Sequence, residues 1–365
     1  MRILFITNDT TGTSGWSRYS VDLIKSFKNL GHDVDVVTSD DLGHANKYLL
    51  GNIFGFKERN IVKKKIKDFN PDVIHVVAEP YLNGLLFYNL KNIKVFMTIH
   101  GTYSFIPALF KGNILKEIIS IFLTKIIFKK VSGIISVSSF TKEYFEKEYQ
   151  KVFKEKISMP IKVITNGVDY KELSSKIIDT NKAGINIVSV GEVKNRKGAH
   201  FTLEALNQIK KDSPHKITFN VVGTLYEDSL YHKNLLKKIR EFNLEENVFF
   251  HGKVSDDKLL DLYNKSNIFI MLSQNIDNKF EGFGIVYLEA NAFGIPVIGS
   301  IGTGAQEAIL DGETGYLVNP KNTEEIIGSV NKILKGDIFA ENCKKWSKDN
   351  DISTKANQVL EFYNQ

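Results

Sequence analysis

Short apolar segments of strand character alternate along this chain with segments of helical periodicity, in two successive series. Ile3–Thr7 opens the first series and Ile185–Val190 opens the second. The other predicted strands lie at residues 34–38, 73–77, 95–99 and 133–137, and at residues 219–222, 248–250, 268–271 and 296–298. Strands that are apolar along their whole length are typical of parallel sheets covered by helices on both faces. The sequence therefore predicts an α/β fold of two doubly wound, Rossmann-like domains facing a central cleft, with ligands at the carboxyl ends of the strands.

The length of the chain also favours two domains. A chain of 365 residues is too long for one ordinary hydrophobic core. The polar stretch Tyr170–Gly184 separates the two series and is the best candidate for a linker. We predict an N-terminal domain at residues 1–170, a linker at 171–184, a C-terminal domain at 185–350 and a final helix within 351–365.

Cysteine content and hydrophobicity restrict the class of protein. The single cysteine, Cys343, excludes a disulfide framework within the chain and a zinc site built of several cysteines, so a reducing cytosol is the simplest location. The sequence contains no run of about 18 uncharged apolar residues. The first residues have the character of a strand rather than of a signal peptide. We expect a cytoplasmic protein, and association with the inner face of the membrane stays open.

The net charge of the chain is unevenly distributed, because acidic residues are fewer in the first half. Residues 1–170 contain 24 Lys and Arg against 16 Asp and Glu, a net charge of +8, whereas residues 171–365 contain 24 against 26, a net charge of −2. The asymmetry favours an anionic partner for the N-terminal domain, such as a membrane surface or a phosphorylated acceptor, although general lysine-rich usage explains it equally well. The lysines lack the aromatic-interleaved pattern of nucleic-acid-binding strands, so we do not expect nucleic acid as a partner.

Two carboxylates, Glu281 and Glu289, stand eight residue steps apart in the most informative segment of the chain. Gly282 and Gly284 permit a close approach to the backbone, and Ile285–Ala290 reads as the first part of a helix, whose N-terminus can bind a phosphate. Eight helical steps span at most roughly 12 Å, so a ligand with a central diphosphate would meet one carboxylate at each end. A nucleotide-sugar fits, with Glu281 on sugar hydroxyls and Glu289 on the ribose. The spacing alone is equally compatible with two unrelated surface glutamates.

Two further loops follow predicted strands of the second series. Arg196 and Lys197 lie in a basic loop between a strand and a helix start, where cations would neutralise charge on a departing diphosphate. A solvated basic loop would be the commoner explanation of such a segment taken alone. Gly299–Glu307 is a glycine-rich loop that could admit phosphate or sugar, and its position shortly after the paired glutamates strengthens that interpretation.

One histidine of the first series is a candidate for a functional role. His100 closes the apolar run Val95–Ile99, at the carboxyl end of a buried strand, where ligands bind in doubly wound folds. Histidines at strand ends are often structural, so the position alone favours that role. The sequence contains no plausible Ser/His/Asp set and no metal cluster.

Together these motifs resemble the retaining glycosyltransferases of family 4, in order and spacing over essentially the whole chain. The matching segments are His100–Gly101, Ile135–Ser138, Asn166–Asp169, Lys197–Gly198, Glu281–Glu289, Gly302–Glu307 and Asp311–Val318. The resemblance implies the GT-B fold, in which the C-terminal domain binds the nucleotide-sugar and the N-terminal domain binds the acceptor. It also implies that the final helix, around Thr354–Tyr363, packs back on the N-terminal domain. We expect a UDP-sugar rather than a GDP-sugar donor and no requirement for metal or another cofactor.

The resemblance also implies individual roles. Catalytic roles fall on His100, which would touch the donor sugar, and on Lys197 and Glu281. The backbone near Lys253 and Val254 would contact the nucleobase. The remaining donor-binding positions are Gly15 on the first loop, Arg196, the amides of Phe283, Gly284 and Ile285 at the diphosphate, and Glu289. Arg18 matches a recurring basic position after the first loop.

Three positions depart from the family pattern. Glu192 follows Gly191 where the family commonly has arginine, so one expected diphosphate cation is absent, and either Arg196 compensates or the loop binds differently. Thr165 replaces the usual proline before Asn-Gly-Val. Ser273–Lys279 is longer than the usual connection into the glutamate motif and could alter the choice of donor.

The acceptor is less defined, and we expect a glycan, a lipid-linked glycan or a glycolipid. The segment Gly112–Lys130 is strongly apolar with interspersed lysines. It could lie on an anionic membrane, although a crossover helix packed on the sheet, with its lysines at the rim, is the more frequent outcome for such a segment. A nucleotide-sugar epimerase and a non-catalytic sugar- or nucleotide-binding protein remain alternatives to the transferase.

Overall fold

The computed structural model describes residues 1–12, 14–42, 56–77, 79–86, 88–90, 92–101, 114–180 and 182–365. The chain forms two compact units. The first comprises Met1–Gly167 together with Ile352–Gln365, and the second comprises Val168–Asp351. The polar stretch Tyr170–Gly184, predicted as a linker, therefore lies within the second unit.

The described residues form a regular series of strands and helices. The strands are β1 (Arg2–Ile6), β2 (Asp33–Val37), β3 (Val73–Val76), β4 (Lys94–Ile99), β5 (Gly133–Ser136), β6 (Ile161–Val163), β7 (Ile185–Val190), β8 (Ile217–Val222), β9 (Val248–Gly252), β10 (Ile268–Ile270), β11 (Val297–Ser300) and β12 (Gly315–Val318). The helices are α1 (Gly15–Asn29), α2 (Phe56–Phe69), α3 (Ile114–Phe128), α4 (Ser139–Phe153), α5 (Tyr170–Ser174), α6 (Ala199–Asp212), α7 (Leu230–Glu241), α8 (Asp256–Lys265), α9 (Ile285–Ala292), α10 (Thr323–Leu334), α11 (Ala340–Asp349) and α12 (Ile352–Asn364). Short 3₁₀ turns lie at Glu79–Leu85, Asn195–Lys197 and Gly304–Glu307.

The first unit is built on a six-stranded sheet with the order β2-β1-β3-β4-β5-β6, and every pairing is parallel. Alternate residues of β1 enter different cores, because side chains of a strand point to opposite faces. Leu4 and Ile6 belong to one buried cluster, whereas Ile3 and Phe5 belong to another. Both faces of the sheet are therefore covered, as the continuous apolar strands predict.

Helix α12 covers one of these faces, although it is the last element of the chain. Phe362 and Tyr363 pack against Phe96 of β4, with ring centroids 5.2 Å and 4.7 Å from its ring. The Tyr363 hydroxyl lies 2.5 Å from Nδ1 of the fully buried His75, and Lys94 donates to the Tyr363 carbonyl at 2.9 Å. The final helix is thus an integral part of the first unit.

The second unit has a six-stranded sheet of the order β12-β11-β10-β7-β8-β9, again parallel throughout. Two parallel sheets with interspersed helices confirm the predicted α/β fold. The sequence did not predict β6 and β12, which are edge strands of three and four residues. Edge strands this short carry little of the continuous apolar signal that reveals central strands.

The order of the second sheet positions the candidate site. Strand β10 pairs with β7 on one side and with β11 on the other. Because the strands are parallel, the loops that follow β7, β10 and β11 emerge at the same edge of the sheet. Those loops contain the basic segment, the glutamate motif and the glycine-rich loop of the sequence analysis.

Candidate active site

Two cations converge on one carboxylate at this edge of the second sheet. Lys197 Nζ lies 2.6 Å from Glu281 Oε2, and Arg196 Nη1 lies 3.3 Å from the same oxygen. Ser273 Oγ donates to that oxygen at 3.2 Å. The Glu281 side chain is only 12% exposed. The structure thus brings the basic loop, with Arg196 and Lys197, against Glu281 of the glutamate motif. Two cations and one carboxylate give this group a net charge of about +1 when all three side chains are ionised.

Electrostatics keep Glu281 ionised. Burial by itself would raise the pKa of the Glu281 carboxyl, but the positive charges of Lys197 and Arg196 together with the hydrogen bonds to this carboxylate outweigh burial, so the pKa is lowered. The hydrogen bonds from Lys197 and Ser273 act in the same direction. A buried carboxylate is stable only when it is paired in this way.

The loop that carries the two cations is fixed by a glycine. Gly198 has φ +74° and stands immediately before α6. A Cβ at this position would lie 1.9 Å from the carbonyl oxygen of Leu272, so any other residue would force the basic loop away from the connection after β10. The close contact holds Lys197 against Glu281.

The N-terminus of α9 lies directly after Glu281. Gly284 has φ +86° and precedes the first residue of the helix, and a Cβ there would meet the Tyr287 ring at 2.5 Å. Tyr287 is fully buried and donates to the Met271 carbonyl at 2.6 Å, which ties α9 to the end of β10. The first N–H groups of a helix have no partner inside that helix, so they offer donors to an anion. Ile285 begins the helix and Phe283 is buried beside it. Contact of this segment with a diphosphate stays a prediction.

The glycine-rich loop after β11 packs against the same segment. The Gly304 N–H donates to the Glu281 carbonyl at 2.8 Å. A Cβ on Gly304 would lie 2.0 Å from the Gly282 carbonyl oxygen, so glycine is required by the close approach of the two backbones. The glycine-rich loop therefore lies directly against the backbone of the glutamate motif, and its contact with phosphate or sugar stays a prediction.

Glu289 lies on α9 and is half-buried. Tyr263 of α8 donates to Glu289 Oε2 at 3.2 Å. Lys253 and Val254 lie on the connection between β9 and α8. The structure thus places the predicted nucleobase segment immediately before the helix that contacts the predicted ribose-binding carboxylate.

Glu192, which stands where the family resemblance predicts arginine, contacts Lys194 and Tyr226 and has no contact with Glu281 among the described residues. Its carboxylate accepts from Lys194 at 2.7 Å and from the Tyr226 hydroxyl at 3.0 Å, and its side chain is 46% exposed. Burial would raise the pKa of Glu192, but its contacts with Lys194 and Tyr226 lower the pKa overall. Arg196, four residues later, points to Glu281 instead, so this loop still presents two cations beside that carboxylate.

The candidate residues of the first unit lie around the start of α1 and the end of β4. His100 Nε2 is buried without a hydrogen-bond partner among the described residues, and its ring packs edge-on against Tyr19 at 4.7 Å. Burial lowers the pKa of His100 to about 3, so the ring is neutral at physiological pH. Gly15 is the first residue of α1, and Arg18 forms an ion pair with Asp22 at 3.1 Å. The contact of His100 with a donor sugar stays a prediction.

Several residues of the site were not predicted. Ser273 donates a hydrogen bond to Glu281 and Tyr263 donates one to Glu289, while Tyr287 donates to the Met271 carbonyl at the end of β10. Tyr287 lies between the two glutamates, so its position in the motif was an available signal. Tyr263 carries no such signal, because it reaches Glu289 only through the packing of α8 against α9.

The described residues contain no group of three or more His, Cys, Asp or Glu side chains that could hold a metal ion. None of the described helices combines the length and the apolar character needed to cross a bilayer.

Solved structures resemble the whole described architecture. Sucrose-phosphate synthase from Thermosynechococcus elongatus superposes with a TM-score of 0.78 at 19% identity, covering 100% of this chain and 98% of that chain. The Anabaena protein HepE, solved in complex with UDP and glucose, superposes with a TM-score of 0.70 at 20% identity, covering 100% of both chains. The fold of this protein is therefore GT-B.

Sequence comparison gives the family. The family described as "Glycosyltransferase Family 4" matches residues 13–172, and the family described as "Glycosyl transferases group 1" matches residues 171–350. A 41.2 kDa protein of the cps region of Klebsiella pneumoniae is 31% identical over 73% of this chain and 70% of its own length. A glycosyltransferase of Methanocaldococcus jannaschii is 27% identical over 83% of this chain and 77% of its own length. The chain belongs to the group 1 glycosyltransferases of family 4.

Proposed function

We propose that this glycosyltransferase moves a sugar from a nucleoside-diphosphate-sugar to an acceptor hydroxyl with retention of configuration and without metal. The convergence of Lys197 and Arg196 on Glu281, directly before the N-terminus of α9, carries the proposal. This arrangement offers cations and backbone donors to a diphosphate, and a carboxylate to the hydroxyls of the attached sugar.

The reaction breaks the bond between the anomeric carbon and the diphosphate oxygen and forms one to the acceptor oxygen. Negative charge grows on the departing diphosphate, where Lys197, Arg196 and the first amides of α9 would stabilise it. The acceptor loses its proton, and the departing phosphate oxygen can accept that proton because it lies on the same face. Attack from the leaving-group face retains the configuration, and retention is the outcome that the family resemblance implies.

Glu281 would exchange partners when the donor binds. In the free protein both cations contact its carboxylate. A diphosphate would compete for those cations, and the carboxylate would then accept from sugar hydroxyls. Glu289 would accept from the ribose hydroxyls, with Tyr263 holding its orientation. Lys253 and Val254 would present backbone groups to the nucleobase.

We propose a UDP-sugar as the donor and a glycan or lipid-linked glycan as the acceptor. The UDP complex of the structurally similar Anabaena protein supports the donor base. Relatives include a putative colanic acid biosynthesis glycosyltransferase of Escherichia coli, which is 26% identical over 44% of this chain and supports a bacterial polysaccharide acceptor. The positive net charge of residues 1–170 supports peripheral contact between the first unit and an anionic membrane.

Thermal stabilisation by nucleotides tests the donor site. UDP, GDP and ADP would each be added to the wild type and to Glu289→Ala, with and without EDTA. A ligand at a hundredfold excess over its Kd stabilises the folded state by about 2.7 kcal/mol, which raises Tm by roughly 5 °C or more. We expect a shift with UDP that EDTA leaves unchanged and that Glu289→Ala removes.

A matched control is Glu341→Ala, which removes a carboxylate that is 81% exposed and lies on α11. This variant should keep the full UDP shift. A protein that no nucleotide stabilises would contradict the donor site, and a shift that EDTA abolishes would contradict metal-free binding.

A further inference from the structure

Helix α3 has a buried face and an exposed face. Leu123, Ile127 and Phe128 are buried in the core of the first unit. The helix connects β4 with β5, as a crossover helix does. Its 15 residues span about 22 Å. The predicted crossover helix is therefore present over Ile114–Phe128, whereas residues 112 and 113 of the predicted segment lie outside the described residues. Contact of this segment with a membrane stays a prediction.

The exposed face is unusually apolar. Ile114, Leu115, Ile118 and Phe122 are 77%, 69%, 58% and 64% exposed. The other exposed large apolar residues of the described first unit are only Met1 and Leu30. Single exposed apolar residues are ordinary, but a contiguous group marks an interaction surface.

Lysines share and border this face. At about 100° per residue, Lys125 falls within the same sector of α3 as the four apolar residues. Lys129, one residue beyond the end of the helix, is also exposed. Lys125 Nζ lies 3.3 Å from Glu155 and 5.8 Å from the ring centroid of Phe153, so the end of α4 adjoins α3. That end adds three exposed lysines, Lys151, Lys154 and Lys156. Lys130, by contrast, turns inward and donates to the carbonyls of Leu85 and Tyr88.

We propose that this face, formed by Ile114, Leu115, Ile118, Phe122, Lys125 and Lys129 and called the membrane face below, lies in the plane of an anionic lipid bilayer. An in-plane helix buries its apolar side chains at the boundary between headgroups and acyl chains, while lysines contact anionic headgroups. The apolar half of the membrane face would insert, and the lysine half together with the end of α4 would contact the headgroups. The proposal refines the membrane contact of the proposed function by naming its surface.

Vesicle flotation tests the membrane face with the full chain. Phosphatidylcholine vesicles with and without phosphatidylglycerol would be compared for the wild type, Ile118→Ser/Phe122→Ser and Lys125→Gln/Lys129→Gln. We expect the wild type to bind the anionic vesicles. The apolar variant should bind anionic vesicles at least about tenfold more weakly than the wild type. Each lysine removed should weaken binding by up to about fivefold, and this loss should be smaller at high salt.

Matched controls use equally exposed residues of the second unit. Leu230→Ser/Phe339→Ser removes side chains that are 75% and 68% exposed, and Lys335→Gln/Lys348→Gln removes two exposed lysines. Both controls should bind like the wild type. Circular dichroism melting verifies that every variant is folded.

Three results would overturn the proposal. The first is a wild type that does not float with anionic vesicles, and the second is an Ile118→Ser/Phe122→Ser variant that floats as well as the wild type. The third is a wild type that does not bind vesicles but forms a concentration-dependent dimer in light scattering, with the dimer lost in Ile118→Ser/Phe122→Ser. In that case the face would join two copies of the chain rather than contact a membrane. UDP stabilisation is measured without vesicles, so failure of the donor site and failure of the membrane face are distinguishable.

Discussion

The Lys197 side chain is held in position by contacts with several groups of the site. Its Nζ contacts Glu281 Oε2 at 2.6 Å and Met271 Sδ at 3.4 Å, and its side chain lies against Gly191, where a Cβ would come within 3.5 Å of Lys197 Cε. A lysine held by a carboxylate, a thioether and a backbone loses little freedom when an anion arrives. Such preorganisation is the usual source of electrostatic catalysis.

Replacing Lys197 by alanine tests this role. We expect Lys197→Ala to lower kcat by about a hundredfold to a thousandfold, because a preorganised charge at the leaving group is lost. The thermal midpoint should change little, since Arg196 and Ser273 still pair with the Glu281 carboxylate. Loss of Lys197 also removes the largest influence that lowers the pKa of Glu281, so the acid limb of the activity profile should move to higher pH.

The matched control is Lys194→Ala, on the same loop. Lys194 pairs with Glu192 at 2.7 Å rather than with Glu281, and its side chain is 49% exposed. Turnover measured at saturating donor should fall far less in this control. Equal effects of the two substitutions would mean that the general charge of the loop, and not the position of Lys197, supports the reaction.

At the scale of elements, the connection Ser273–Lys279 after β10, called the strap below, is hydrogen-bonded to both the basic loop and the glycine-rich loop. The Gln274 N–H donates to the Arg196 carbonyl at 2.8 Å, and its side-chain amide donates to the Asn195 carbonyl at 3.2 Å. Asn275 donates to the Gly302 carbonyl at 2.9 Å. Gln274 and Asn275 of this connection therefore hold the basic loop and the glycine-rich loop in place.

Substitution of Gln274 tests the strap. We expect Gln274→Ala to raise the KM for the donor by about threefold to tenfold, as the loss of one or two neutral hydrogen bonds predicts. Turnover at saturating donor should change less, because Lys197 is still present to stabilise the departing diphosphate. Asn278→Ala is the control, because Asn278 lies on the same connection but its side chain makes no hydrogen bond with any described residue. A KM equal to that of the control would remove Gln274 from the positioning of the basic loop.

At the scale of the whole molecule, the chain leaves the first unit after Gly167 and returns to it after Asp351. A buried polar network anchors the returning helix α12. His75 lies 2.5 Å from the Tyr363 hydroxyl and 2.6 Å from Thr98 Oγ1, and Thr98 lies 3.0 Å from the Tyr19 hydroxyl. The network therefore joins α12, β3, β4 and α1, and its members are all buried.

This network makes the stability of the first unit depend on pH. Burial lowers the pKa of His75 to about 3, with a smaller contribution from His100. An unfolded histidine binds a proton below about pH 6.5, whereas the folded one stays neutral. Stability is therefore fully present above the unfolded pKa and is lost as the pH falls toward 3, by up to about 1.4 kcal/mol per pH unit for each such histidine.

Urea unfolding in a Trp346→Phe background measures this effect, because Trp16 then reports on the first unit. We expect His75→Gln to lose less stability than the parent protein between about pH 6.5 and about pH 4.5. The amide can retain hydrogen bonds while having no proton to bind. His215→Gln, at an exposed position, should leave the dependence unchanged. If the free energy of unfolding of His75→Gln depends on pH as strongly as that of the parent protein, groups other than His75 cause the acid sensitivity.

The amino-acid sequence by itself determined the fold class, the family and most residues of the candidate site. The apolar strands and the Glu281–Glu289 motif are local properties of the chain, because burial on both faces and a helix start after glycine each leave a short-range pattern. The pattern failed at β6 and β12, which are short edge strands in which most residues are only half-buried.

Only the tertiary structure decided which side chains meet. Lys197 and Glu281 are separated by 84 positions and come together because the sheet places β7 beside β10. The same long-range packing turns Glu192 toward Tyr226, directs Arg196 to Glu281, and leaves one face of α3 exposed. A local pattern can show that a helix is apolar all round, but which of its faces is covered depends on the elements that pack against it.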